Sequence, residues 1–269
     1  MTPQPPRPKI SYKSADPAFT SFEASRLLEE TDNKDLHFTF TYWELASVGS
    51  TAREILRLGK ANYKFECPSD QDWTDNKVAT CFSYLPMMKI TAPDGKELVM
   101  SESMVIDVFL AERFGLLGEN KWESLTIQSF YSNIHFLRER TFSEVADVPK
   151  DRRKETRDIF LKYTLKKFLQ DHEFHLLENG NNGHYVGDKL SLADIHLSNI
   201  VHFYETMPWG HMVIDAFKDF GAVWKVKETV DKVPEIAAWR ATKEFNVYEK
   251  GSLVWYKRLV VPGEEPKEE

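Results

Sequence analysis

His37-Phe38-Thr39-Phe40-Thr41-Tyr42-Trp43 alternates large apolar side chains with threonine. That two-residue period belongs to a β-strand with one buried and one polar face, and it sets the reading of everything around it. Downstream, Gly49-Ser50-Thr51 opens a helix over Ala52 to Leu58 that Gly59 stops. A second short strand fits Tyr63-Lys64-Phe65-Glu66-Cys67, closed by Pro68. After an irregular stretch, Leu85-Pro86 leads into a hairpin whose arms are Met87–Ile90 and Glu97–Met100, joined through Pro93-Asp94-Gly95. Ser101-Glu102-Ser103 then caps a helix running through Val105, Val108 and Phe109 to Gly115. The order is strand, helix, strand, irregular segment, strand, strand, helix.

Beyond Gly118 the pattern turns helical throughout. Trp122 to about Arg140 places Ile127, Phe130 or Tyr131, Ile134 and Leu137 at helical spacing. Pro149 starts a long helix with Leu161, Leu165, Phe168, His172 and Leu176 on one face, ended by Gly180. A serine cap with an acid three residues on, Ser191-Leu192-Ala193-Asp194, opens another. Later helices fit Ile214 to about Val230 and Pro234 to Glu244. The fold class is therefore α+β: a small α/β unit over 37–117 followed by an all-α unit over 120–250. Residues 1–36 read as an N-terminal extension, in part disordered, and 251–269 as a C-terminal extension with an acidic tail.

Composition limits what such a molecule does. In 269 residues, 35 Lys plus Arg stand against 42 Asp plus Glu, a formal charge of −7, a poor footprint for neutralising several phosphates. Nucleic acid is not an expected partner. Apolar runs are broken by charge well short of the roughly 18 residues a membrane span requires, so no membrane partner is expected either. Met1 to Lys9 holds four prolines and no apolar core, which excludes a signal peptide and makes the cytoplasm the expected location. The Pro-x-x-Pro spacing there fits an SH3-type groove or a solvated tail. Cys67 and Cys81 form no Cys-x-x-Cys, so neither a disulfide scaffold nor a zinc site is expected.

Three features suit a small anionic ligand. The helix start at Ser101-Glu102-Ser103 gathers orphan N–H groups, although a serine there also serves as a simple cap. Leu85-Pro86 exposes backbone to a ligand if the bond is cis and is an ordinary turn if it is trans. Tyr42 ends the first strand, as a core aromatic or as a catalyst. His172, on the apolar stripe, reads as a satisfied core histidine. His172, Glu173 and His175 lack the His-Glu-x-x-His spacing of a metal helix. Cys67-Pro68 reads as a buried structural thiol.

Taken in order, Thr41-Tyr42-Trp43, Arg53-Glu54-Ile55-Leu56-Arg57, Asp72-Trp73 with Lys77, Leu85-Pro86 and Glu102-Ser103 resemble the cytosolic glutathione transferases. The resemblance is to the sigma class and its fungal relatives and spans residues 37–250. Tyr185-Val186-Gly187-Asp188-Lys189-Leu190-Ser191-Leu192-Ala193-Asp194 looks like the family's helix-capping signature. It implies a thioredoxin-like domain binding glutathione as co-substrate, with no tightly bound cofactor and no metal, and a helical domain completing a pocket for a hydrophobic electrophile. It implies Tyr42 as the hydroxyl that stabilises the thiolate, with Trp73 and Lys77 on the glycyl carboxylate. Leu85, presented by Pro86, would meet the cysteinyl part, and Glu102 and Ser103 the γ-glutamyl end. Trp43, Tyr131, His135 and Phe136 would line the electrophile pocket, with the region near Trp255. A homodimer is implied as well. Ala52 stands where the class carries an arginine, with Arg53 one place away, and Gln128 stands where relatives carry an acid. The same fold also hosts glutathione-dependent isomerases and peroxidases and non-catalytic lens proteins.

Overall fold

The computed structural model describes residues 7–10 and 21–262. These described residues fall into two compact units, one drawn from positions up to 44 and from 52–114, the other from 45–51 and 115–262. The Pro-x-x-Pro at 3–6 and the acidic tail at 263–269 lie outside the described residues.

In the first unit, helix α1 (Ser21–Glu30) precedes strand β1 (His37–Thr41). Helix α2 (Ser50–Leu58), strand β2 (Asn62–Glu66) and the short helix α3 (Asp70–Thr74) follow. Strands β3 (Met87–Thr91) and β4 (Glu97–Ser101) and helix α4 (Ser103–Arg113) complete it. The sheet order is β2-β1-β3-β4, with β1 parallel to β2 and antiparallel to β3, and β3 antiparallel to β4. This is the thioredoxin-like arrangement expected.

Alternation in β1 does what its period requires. Phe38 and Phe40 are fully buried with Met88 and Ile90, each such side chain contributing about 1.5–3 kcal/mol. They share their face with α2 and α4: Arg53 and Arg57 of α2 lie over the Phe65 ring, and Phe114, at the end of α4, packs on Phe38. Gly59 is required here, because a Cβ would stand 2.1 Å from the Phe114 ring. Helix α1 has no counterpart in the sequence reading. It is tied in by Arg113, whose guanidinium donates to the carbonyls of Leu28 and Thr31 while Asn33 donates back to the Arg113 carbonyl.

The second unit holds α5 (Lys121–Thr141), α6 (Arg153–Ile159), α7 (Lys166–Glu178) and α8 (Leu192–Glu205). Then come α9 (Gly210–Lys218), α10 (Gly221–Asp231), α11 (Pro234–Arg240) and α12 (Lys243–Tyr256). Helix α8 is buried nearly all round, the mark of a central helix. The helix expected from Pro149 runs continuously from Lys150 to Glu178, with a π-helical stretch at Phe160–Leu165. The single helix read over 214–230 is two, broken before Gly221. The Glu173 carboxylate of α7 accepts from the Ala222 and Val223 amides and so caps α10 from another element. The boundary read at 250 falls inside α12. Tyr256, Leu259 and Val261 beyond it are buried, and Arg153 donates to the Arg258 carbonyl.

Candidate functional site

Strand register gathers the candidate residues of the first unit. Thr41 pairs with Glu66 on one side and Met87 on the other, and Met87 pairs with Ser101. Tyr42, Cys67, Pro86 and Glu102, each one residue beyond those partners, therefore emerge at the same end of the sheet. The Tyr42 amide extends the ladder by donating to the Glu66 carbonyl at 3.0 Å. Leu85-Pro86 is cis. Glu102 sits at φ 75°, ψ 119°, a conformation rare outside glycine, and α4 begins at Ser103 with no side-chain cap. The expected serine cap is not made, because Ser101 ends β4 as a buried residue and Ser103 is already helical. First-turn N–H groups of α4, with their partial positive charge, thus stand at the end of the sheet where Tyr42 emerges.

Tyr42 is buried, its ring 6.3 Å from Phe40. The Arg53 guanidinium lies 5.5 Å from the Tyr42 ring centroid and donates to the Trp43 carbonyl at 2.8 Å. The position assigned from the resemblance, Ala52, carries no charge, yet a buried cation reaches Tyr42 from the next residue. Helical phase, not residue count, decides which side chain faces the strand end. Trp43 and Trp73 meet edge to face with centroids 4.9 Å apart. Trp73 belongs to α3, capped by Ser69, whose hydroxyl accepts from the Asp72 amide. Lys77 pairs with Asp75 at 3.0 Å and Asp72 at 3.6 Å, and the hydrogen bond to Asp75 pushes its pKa up. Arg7, absent from the sequence reading, stacks on Trp73 with its guanidinium carbon 3.6 Å from the ring centroid.

The opposite, polar face of the sheet borders a cavity of about 800 Å³ lined by Thr39, Thr41, Lys64, Lys89, Lys77 and Ile10 among others. It takes in Lys77 but not Tyr42, which stands at the strand ends with the N-terminus of α4. Cys67 corrects the sequence reading: it is exposed, whereas Cys81 is buried. β2 is an edge strand, and the residue beyond its end has no covering layer. Among the described residues no group of three His, Cys, Asp or Glu is placed to hold a metal ion, and no helix is long and apolar enough to cross a membrane.

In the second unit Tyr131 and His135 are buried together with His196, the ring centroids of Tyr131 and His196 lying 4.5 Å apart. Thr51 Oγ1 bonds His196 Nδ1 at 2.9 Å. Phe136 is exposed, so the structure does not bring the three expected pocket residues of this unit onto one surface. Trp255 is exposed beneath Arg258. Gln128 bonds Ser124 one helical turn away. His172 is the satisfied core histidine expected, paired through Nδ1 with the Tyr185 hydroxyl at 2.6 Å and through Nε2 with Asn133 at 2.9 Å. The signature around Ser191 is a closed capping box. Asp194 accepts from the Ser191 amide and hydroxyl and from the Tyr185 amide, all within 2.9 Å.

Residues 137–243 match the family described as glutathione S-transferase, C-terminal domain. Curated relatives run through both units. "Probable glutathione S-transferase 7" of Caenorhabditis elegans is 24% identical over 214 residues, covering 77% of this chain and 97% of its own. "Glutathione S-transferase S1" of Drosophila melanogaster is 24% identical over 202 residues, 75% of this chain and 77% of its own. Among solved structures, prostaglandin synthase D of Nilaparvata lugens superposes with a TM-score of 0.66 at 22% identity, covering 77% of this chain and 98% of its own. A Fasciola hepatica sigma class transferase gives 0.65 at 19%, with 78% and 100% covered. These likenesses establish the glutathione S-transferase fold.

Proposed function

We propose that this chain is a glutathione S-transferase that conjugates glutathione to hydrophobic electrophiles, with Tyr42 holding the thiolate. The observation that carries the reading is the register: Tyr42, the cis Leu85-Pro86 turn and a helix N-terminus without a side-chain cap share one end of one sheet. The first-turn amides of α4 with Ser103 suit the γ-glutamyl carboxylate, the Glu102 carboxylate suits the ammonium, and Leu85 offers backbone to the cysteinyl residue. Trp73 and Lys77 suit the glycyl end, and Trp43 borders the electrophile.

A free thiol of pKa near 8.5 is about 3% thiolate at pH 7. Tyr42, donating as a neutral phenol, stabilises the sulfur anion. A shift of about two units requires about 2.7 kcal/mol, within the range of a charge-assisted hydrogen bond. The buried Arg53 cation adds positive potential beside Tyr42. The thiolate then attacks the electrophilic carbon, forming the C–S bond as the leaving group departs with its electron pair. Retention on immobilised glutathione, with chlorodinitrobenzene conjugation before and after Tyr42→Phe, tests the reading. Binding with turnover that does not depend on the tyrosine hydroxyl refutes it. We further propose a homodimeric, cytoplasmic enzyme, as the family resemblance implies.

A further inference from the structure

We propose that Arg7 is a ligand-binding residue of the glutathione site, engaging the glycyl carboxylate; this rests on the glutathione reading above. The segment that carries it is held in place. Lys9 and Thr80 form a parallel β-bridge in which Thr80 donates to the Pro8 carbonyl at 3.0 Å and Ile10 donates to the Thr80 carbonyl at 3.1 Å. Thr80 is fully buried, so the strap is anchored on the fixed part of the unit. Two residues before the bridge, Arg7 lies over the Trp73 indole and donates through Nη1 to the Trp73 carbonyl.

Stacking uses the flat face of the guanidinium, and the carbonyl uses one of its five N–H groups. The other donors lie in the guanidinium plane at the rim of the stack, the fork geometry that receives a carboxylate. The cation expected to do this from sequence, Lys77, is shared between Asp72 and Asp75. With Asp70 beside them, these acids leave a deficit of positive charge around Trp73, against which an incoming carboxylate is repelled. Arg7 supplies the missing charge, and through Trp73 it also steadies the Trp43 ring, in edge contact with Trp73.

Titration calorimetry with two probes, glutathione and its glycyl monoethyl ester, separates the possibilities. Wild type binds glutathione more tightly than the ester. Arg7→Ala, and Arg7→Gln, which keeps a planar amide on the indole, weaken glutathione about fivefold and leave the ester within twofold of wild type. Equal losses for acid and ester refute the proposal, because Arg7 then merely packs Trp73. Unchanged or tighter glutathione binding refutes it as well, the latter marking the strap as an obstruction. If wild type binds glutathione no better than a control tripeptide, the glutathione reading itself falls and takes Arg7 with it. Binding retained in wild type but unaltered by the variants sinks the Arg7 assignment alone.

Discussion

Tyr42 carries the chemistry proposed, and its contribution is readable as a pH shift. If its hydroxyl lowers the thiol pKa by about two units, Tyr42→Phe costs about 20-fold in kcat/KM at pH 7 and almost nothing above pH 9, where free glutathione ionises unaided. A uniform loss at all pH values would contradict the role. Glu102 is the second residue under tension, held at φ 75°. Positive φ costs a non-glycine residue about 1 kcal/mol or more. Glu102→Gly should therefore hold or raise Tm while weakening glutathione binding, and a fall in Tm would show that the side chain braces the fold. Both residues were legible in the sequence from their places beside the strand ends. Arg53 was not: a count along the chain put Ala52 at the charged position, and the helical phase of α2 delivers its neighbour instead.

At the scale of elements, the helical unit depends on caps that cross between segments. Asp194 is fully buried and serves the Ser191 amide, the Ser191 hydroxyl and the Tyr185 amide. Asp194→Ala leaves those donors unsatisfied and should destabilise by about 2–4 kcal/mol, read as a lower urea midpoint at unchanged m-value. Glu173→Gln tests the second cap. Its carboxylate meets the Ala222 and Val223 amides at the positive end of α10, and loss of the charge should cost about 1 kcal/mol. The first cap was visible as a local motif, Ser191 to Asp194. The second was invisible, since the Ala222 amide lies 49 positions along the chain from Glu173; for the same reason α9 and α10 read as one helix.

Across the molecule, buried histidines set the acid response. His172 is pushed down to about 3 by burial and then by His175. His196 is lowered by burial, His135 and Arg138, and His135 by burial and Arg138. These side chains bind protons less readily when folded than when unfolded, so the stability they contribute is intact above pH 6.5 and lost as pH falls below it. Each contributes a slope of up to about 1.4 kcal/mol per pH unit. His202 opposes them: burial lowers its pKa, but hydrogen bonds to Asp231 and Glu205 prevail and raise it, so its contribution fades as pH rises. Urea midpoints should fall from pH 7 to pH 4.5, and less steeply in His172→Gln. A flat wild-type profile would contradict this account.

What the sequence determined by itself is whatever a short window encodes: the alternation of β1, the hairpin turn, the capping box, the stop at Gly59 and the strand-end residues. Periodicity and turn chemistry are local, so these survive without knowledge of neighbours. What tertiary structure decided depends on phase and on partners distant in the chain. Register gathered Tyr42, Pro86 and Glu102, helical phase brought Arg53 to Tyr42, edge position exposed Cys67, and a β-bridge carried Arg7 to Trp73. Burial and pairing are set by whichever segment arrives opposite, and no window of sequence contains that segment.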